Sequence, residues 1–305
     1  MKLLVILGAT ATGKSALAVE CAKRLNGEVI SADAFLIYRG LNIGTAKPSG
    51  EERQGIVHHM IDVCGANEPF SVSDFERLAL PIIEDVIARG KTPVICGGTG
   101  FYINALLYKS SFGNAPANAA IRKKYEEIAR EKGNAYLHAL LAQHDSESAA
   151  RLHENDVKRV IRALEIFELT GKKKSEQSDG NKPRFPFQAF AFDYSREELY
   201  RRIDLRVDEM FKAGLLDEVK ELLQSGISEN AQSMQAIGYK EIVQGLKNGD
   251  LQSTMSDIIK KNTRNYAKRQ LTFFKRTENL HWITPKPMQE ACEEVLRVYD
   301  GRREN

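Results

Sequence analysis

Over its first hundred residues the chain alternates short apolar runs with amphipathic ones. KLLVIL (2–7), EVISA (28–32) and TPVICGG (92–98) have the length and character of strands, whereas SALAVECAKRL (15–25) and PIIEDVIARG (81–90) carry apolar residues at helical spacing. This alternation predicts a parallel sheet with helices on both faces. Near residue 114 the pattern changes: AAIRKKYEEIAREKG (119–133) and DVKRVIRALEIFELTG (156–171) are helical, end in Gly, and have no strand between them. KKKSEQSDGNKPRFP (172–186) is polar and broken by Gly and Pro, so it reads as a loop, and FQAFAFDY (187–194) after it is β-prone. Further helices are expected over 195–214, with Ser195 and Glu198 at capping-box spacing, over 215–226, and around 254–276. The expected fold class is α/β, with residues 1–113 as the first part of the core, 114–183 as an inserted all-α arm, and 184–305 completing the core and adding a helical C-terminal portion.

Composition narrows the class without naming it. A chain of 305 residues, 42% apolar and 28% charged, is neither disordered, collagen-like nor membrane-like. No apolar stretch reaches about 18 residues, and the N-terminal run breaks at GATATGKS, so it reads as a strand rather than a signal peptide. Cys21, Cys64, Cys96 and Cys292 lie far apart with no C-x-x-C pair, which argues against a disulfide framework or structural zinc and for the reducing cytoplasm. The expected oligomeric state is a monomer. Lys and Arg exceed Asp and Glu by 44 to 41, a net charge of +3 that is too small to identify a nucleic-acid partner unless it is clustered.

The first chemistry is in Gly8-Ala9-Thr10-Ala11-Thr12-Gly13-Lys14-Ser15, which fits G-x-x-x-x-G-K-[ST] between an expected strand and an expected helix. Its glycines let backbone N–H groups curl round an anion, Lys14 adds a mobile charge, and the Ser15 hydroxyl is a Mg²⁺ ligand. The core is therefore expected to be P-loop NTPase-like and to bind a phosphorylated compound. The acid that normally ends a second apolar strand is missing, because TPVIC runs into Gly97-Gly98-Thr99-Gly100. Asp33, directly after EVISA, falls at the same carboxyl edge, and Asp62 is the other candidate. On spacing alone Asp33 is as readily a helix cap or turn residue as a base. His58 and His59, adjacent on a strand, point to opposite faces and are expected to be structural rather than to share a metal. Tyr239 and Trp282 are packing or interface aromatics by default.

Longer blocks carry a resemblance. Ser31-Ala32-Asp33-Ala34-Phe35-Leu36-Ile37-Tyr38-Arg39-Gly40, followed by Gly44-Thr45-Ala46-Lys47-Pro48, resembles the signature of tRNA dimethylallyltransferases, which prenylate an adenosine beside the anticodon. HHMID (58–62), GGTGFY (97–102), RVIRALE (159–165), AIGYKE (236–241) and TRNYAKRQ (263–270) resemble further blocks of that family, in the same order. The resemblance implies that the phosphate loop grips the diphosphate of dimethylallyl diphosphate rather than a nucleoside triphosphate. It places the catalytic aspartate at Asp33, a helical arginine at Arg206, and a tRNA-contacting threonine at Thr99. Thr10, Lys14, Ser15 and a bound Mg²⁺ are then expected to stabilise the departing diphosphate. The implied tRNA contacts, to the anticodon stem-loop, also include Ala34, Phe35, Leu36, Arg122, Lys158, Arg159, Arg162, Gly238, Tyr239, Lys268 and Arg269.

Charge clustering agrees with an RNA partner. Between Ile258 and Arg276 lie seven basic residues and no acidic one, interleaved with Tyr266, Phe273 and Phe274. Lys158, Arg159 and Arg162 form a second cluster on an arm helix. A basic run taken alone is equally a solvated helix face, and Arg264 and Arg269 are candidates for pairing with core acids. The chain departs from the family pattern at Ala34 (usually Ser), Leu36 (often Gln), Val57 and Val157 (both usually Pro) and Phe273 (usually Trp). An adenylate isopentenyltransferase, a small-molecule P-loop kinase and a non-catalytic RNA-binding protein are the alternatives. The arm's basic residues count against the first, and the intact loop and Asp33 against the last.

Overall fold

A computed structural model of the chain describes residues 1–109, 115, 117–176 and 182–301. Among them, β1 (Leu3–Leu7), β2 (Gly27–Ser31), β3 (His58–His59), β4 (Thr92–Gly97), β5 (Phe187–Phe192) and β6 (Leu280–Ile283) form one sheet. Its order is β3-β2-β4-β1-β5-β6, and every neighbouring pair is parallel. Parallel neighbours require crossovers, and the helices α1 (Lys14–Arg24), α2 (Gly50–Arg53), α3 (Val72–Ala88) and α4 (Gly100–Leu107) lie among the first strands. The strands read as continuous apolar runs because both faces are covered. Leu4, Ile6, Val94 and Phe190 pack on one side against Leu17, Ala18 and Cys21 of α1. The alternate positions Leu3, Val5, Leu7, Ile30 and Ile95 are equally buried, with α3 against β2 and β4.

The chain divides into two compact units, Met1–Leu107 with the chain from Pro183 onward, and Tyr108–Lys182. The boundary expected between 113 and 114 lies outside the described residues, as does part of the polar loop at 172–186. The second unit contains α5 (Ala119–Lys132), α6 (Asn134–His144), α7 (Ser146–Arg151) and α8 (Val157–Thr170). It has its own core of Tyr125, Leu137, Leu141, Val160, Ile161 and Leu164. Gly133 and Gly171 end α5 and α8 at positive φ, the conformation their missing Cβ permits.

The remaining helices belong to the first unit: α9 (Arg196–Lys212), α10 (Leu215–Gln224), α11 (Tyr239–Asn248), α12 (Gln252–Phe274) and α13 (Met288–Tyr299). The pattern does not announce β6 or α13; the short LHWI run pairs with β5 at the sheet edge, and α13 packs Ala291, Cys292 and Val295 beside α1. α3 extends N-terminal to the pattern at 81–90 and passes through Pro81, because Ser71 and Asp74 form a reciprocal capping box. At α9 the expected box is only half made: the Ser195 hydroxyl accepts the Glu198 N–H, but the Glu198 carboxylate turns to Arg201.

Candidate active site

Three adjacent strands, β2, β4 and β1, end at one edge of the sheet, and the loops that leave them build a single cleft of about 310 Å³. From β1 comes the phosphate loop. Gly13, the N-cap of α1, has φ of +87°, which L side chains rarely adopt, and offers no capping side chain. The first N–H groups of α1 thus have neither an intrahelical acceptor nor a cap. The Thr12 hydroxyl donates to the Ala9 carbonyl at 2.9 Å, and Lys14 Nζ reaches the same carbonyl at 3.2 Å. Burial pulls the Lys14 ammonium below its ordinary value, and neighbouring Arg206 acts in the same direction against the opposing pull of Cys96 and Asp33.

From β2 comes Asp33. Its Oδ1 accepts the Phe35 N–H at 2.9 Å, and no donor among the described residues is hydrogen-bonded to Oδ2. From β4 comes Thr99, whose N–H donates to the Ala32 carbonyl at 3.2 Å while its Oγ1 accepts the Ala34 N–H at 3.0 Å. Thr99 therefore fixes the turn that carries Asp33. Arg206, on α9, faces the same cleft; burial lowers its guanidinium from the ordinary value, against the pull of Asp33, Glu52 and Glu209. Beyond these charges the wall is apolar, with Ile203, Val207, Met210 and Ile259. The cleft thus joins a cationic phosphate end, one carboxylate and an apolar pocket.

Helix α12 closes it with residues that the basic-run reading passed over. The Thr10 N–H donates to Gln270 Oε1 at 2.9 Å, and Gln270 Nε2 donates to the Gly98 carbonyl at 2.8 Å, so one buried amide ties the phosphate loop to the turn after β4. A Cβ at Gly98 would lie 2.4 Å from that amide nitrogen, so a side chain there would displace the Gln270 amide. The Tyr266 phenol is pushed up to about 12 by burial and by the Asp33 charge, opposed by hydrogen bonds with Thr99 and Gln270. Thr263, Tyr266 and Gln270 all line the cleft, and their i, i+3, i+7 spacing was the available signal. Arg202 was also missed: its Nε donates to the Ala11 carbonyl at 2.8 Å and its guanidinium stacks on Tyr194.

Several expected site residues take other positions. Thr10, Ala11, Phe35, Leu36 and Arg269 line the cleft, whereas Lys268 is exposed beside the Tyr200 ring. Tyr239, expected at an RNA surface, is fully buried; its hydroxyl donates at 2.6 Å to Glu218, whose carboxylate also accepts the N–H groups of Asn42, Ile43 and Gly44. Gly238 is buried with it as the N-cap of α11. Asp62, the other acidic candidate, pairs with Lys47 and is not among the residues that line the cleft. His58 lines the cleft while His59 turns to the buried Glu28 at 2.8 Å, as alternation along β3 requires. In the second unit, Arg122 and Arg162 both close on the buried Glu165 carboxylate, at 2.9 and 2.6 Å. Lys158 and Arg159 remain exposed, the latter with an Asp156 contact at 3.4 Å. On α12, Lys260 pairs with Asp208 and Arg264 with Asp204, while Lys261, Lys268 and Arg269, and Lys275 and Arg276 just beyond the helix, have no acidic partner among the described residues.

The cleft offers oxygen donors suited to a hard cation: the Ser15 hydroxyl, and the Ser31 hydroxyl, which is buried without a hydrogen-bond partner. No cluster of three His, Cys, Asp or Glu that could cage a metal occurs among the described residues. The set fits Mg²⁺ that keeps its waters and shares a substrate's phosphate oxygens.

The sequence and the fold both have relatives. The family model described as IPP transferase matches residues 36–277. A tRNA dimethylallyltransferase from Acetivibrio thermocellus is 46% identical over 297 residues, covering 96% of this chain and 95% of that one. Another from Alkaliphilus oremlandii is 46% identical over 306 residues, covering 98% and 97%. The crystal structure of the full-length tRNA isopentenylpyrophosphate transferase from Bacillus halodurans superposes with a TM-score of 0.73 at 40% identity, covering 97% of this chain and 95% of that one. That of a eukaryotic dimethylallyltransferase acting on tRNA superposes with a TM-score of 0.85 at 29% identity, covering 99% and 80%.

Proposed function

The chain belongs to the IPP transferase family, whose reaction is dimethylallyl transfer to tRNA, and from that premise we propose how its own residues carry the reaction out. The donor is dimethylallyl diphosphate and the acceptor is N6 of the adenosine adjacent to the anticodon, position 37. The N6 lone pair forms a bond to the allylic C1, the bond from C1 to the diphosphate oxygen breaks, and the N6 proton passes to Asp33, leaving N6-dimethylallyladenosine and diphosphate. An exocyclic aromatic amine is a weak nucleophile, so a carboxylate able to take its proton contributes directly to the rate. Thr99 acts through the Ala34 N–H, holding the Asp33 turn.

Diphosphate leaves readily only when its growing charge is met. Lys14, Arg206 and the open N–H groups of α1 supply fixed positive potential on one wall of the cleft. Mg²⁺, when bound by the Ser15 hydroxyl together with diphosphate oxygens, supplies further charge neutralisation there. The apolar wall of Ile203, Val207, Met210 and Ile259 accommodates the five-carbon chain and keeps water from the allylic carbon. The adenine must leave its stacked loop to reach Asp33, which calls for an RNA-binding surface. The exposed cations offered to RNA are Lys268 and Arg269 on α12 of the first unit and, separately, Lys158 and Arg159 on α8 of the second.

The observation that carries this reading is that Asp33, Lys14 and Arg206 line one cleft, with no second acid among the described residues that line it. No described helix is long and apolar enough to cross a membrane, and none of the four cysteines is in a disulfide. Incubation with dimethylallyl diphosphate, Mg²⁺ and unmodified tRNA, followed by nucleoside analysis, is expected to yield N6-dimethylallyladenosine. Absence of any prenylated adenosine, with ATP-dependent phosphorylation of a small metabolite instead, overturns the reading.

A further inference from the structure

Ser31 closes β2 with a hydroxyl that is out of place unless something binds it. The residue is 4% exposed, and its Oγ has no hydrogen-bond partner. A buried hydroxyl left unpaired destabilises a fold, so one that persists calls for a ligand, an ion or a water. Val29 and Ser31 both line the cleft, as alternate residues on one strand face do. Ser31 stands in register with Cys96 of β4, and the Cys96 thiol donates to the Lys14 carbonyl at 3.6 Å and lines the cleft together with Ser15. Cys96 is thus the common neighbour of Ser31 and Ser15. It also occupies the strand end where a metal-holding acid is absent among the described residues. A neutral thiol is a poor partner for a hydrated hard cation, whereas a hydroxyl both donates to and accepts from its waters.

We propose that Ser31 is a further binding residue of the diphosphate site, its hydroxyl hydrogen-bonding the water shell of the Mg²⁺ that accompanies the diphosphate on Ser15. The inference rests on the reading of the phosphate loop as a diphosphate site. Its test is calorimetric titration of inorganic diphosphate into the full chain, with Mg²⁺ and separately with EDTA, alongside the Tm of the ligand-free protein. Ser31→Ala is expected to bind about three- to tenfold more weakly with Mg²⁺, to be unchanged in EDTA, and to melt at or above the wild-type temperature, because the unpaired hydroxyl is gone. Ser31→Cys, which keeps the shape with a weaker hydrogen-bonding group, is expected to lose less. Wild-type affinity in Ser31→Ala with Mg²⁺ overturns the inference alone. So does an equal loss in Mg²⁺ and EDTA accompanied by a lower Tm, which marks a structural role. A wild-type chain that binds no diphosphate under either condition overturns the phosphate-loop reading as well.

Discussion

Lys14 and Arg206 stand in the cleft wall with no carboxylate at salt-bridge distance among the described residues, whereas in the helical arm Arg122 and Arg162 both close on the buried carboxylate of Glu165. The four cations are alike in sequence and opposite in use. In the cleft, burial without neutralisation lowers both cations from their ordinary values, and the positive potential is left for an anion to meet. In the arm, burial alone raises the Glu165 carboxyl, but Arg122, the Asn118 N–H and Arg162 together outweigh it and hold the group below its ordinary value. There one carboxylate is shared between two guanidiniums, and the cluster secures α5 against α8. A cation is available to a ligand only where the fold withholds its acid.

Removing the cleft's own charges breaks the comparison most severely. Asp33→Ala is expected to lower the single-turnover rate about 10²–10⁴-fold while tRNA affinity is retained; near wild-type turnover would mean that another group takes the proton. Arg206→Ala is expected to cost about 10²–10³ in kcat, the range for one preorganised group facing developing charge. Chemical-denaturation curves should be nearly unchanged, since Arg206 has no ion pair to lose. A large stability loss without a kinetic one would return Arg206 to the structural class of Arg122.

The arm predicts the reverse. Glu165→Ala leaves two guanidiniums around a buried space and is expected to destabilise the second unit by about 2–3 kcal/mol, less than for a fully enclosed pair because both arginines are partly exposed. Since the folded carboxyl lies below its ordinary value of 4.5, its contribution is present above about pH 4.5 and is lost as pH falls below that. Hydrogen exchange of α5 and α8 between pH 3 and 6 should therefore converge between wild type and Glu165→Ala at the acid end. A difference that persists undiminished at pH 3 assigns the loss to packing rather than charge.

What the sequence discloses follows the range of the interactions. The strands β1, β2, β4 and β5, the phosphate loop and the position of Asp33 were legible because each depends on neighbours a few residues away and on the rule that such loops gather at the carboxyl edge of a parallel sheet. Gln270 lies 260 residues from Thr10 and Arg202 lies 191 from Ala11, so their grip on the phosphate loop has no local signature. Tyr239 fits the default reading of a packing aromatic: a motif block records that a residue matters without recording that, as here, it holds Glu218 and, through it, the 42–44 backbone. The arm offered a partial clue: Arg162 and Glu165 are at i, i+3, a spacing that makes them neighbours on a helix face.

The smallest expected effect tests the same distinction within one helix. On α12, Lys268 and Arg269 have no acidic partner, while Lys260 is paired with Asp208 at 2.6 Å and Arg264 with Asp204. Each cation that neutralises an RNA phosphate displaces counterions and adds about 0.7–0.9 to the slope of log affinity against log salt. The Lys268→Ala/Arg269→Ala double variant should therefore flatten the slope for tRNA by about 1.4–1.8 and weaken binding most at low salt. Lys260→Ala should leave it nearly unchanged, since Asp208 already meets that charge. An equal flattening in Lys260→Ala means that surface ion pairs open to let RNA in. Availability on α12 would then be set by exposure rather than pairing, and only the buried Glu165 cluster would keep its cations from a ligand.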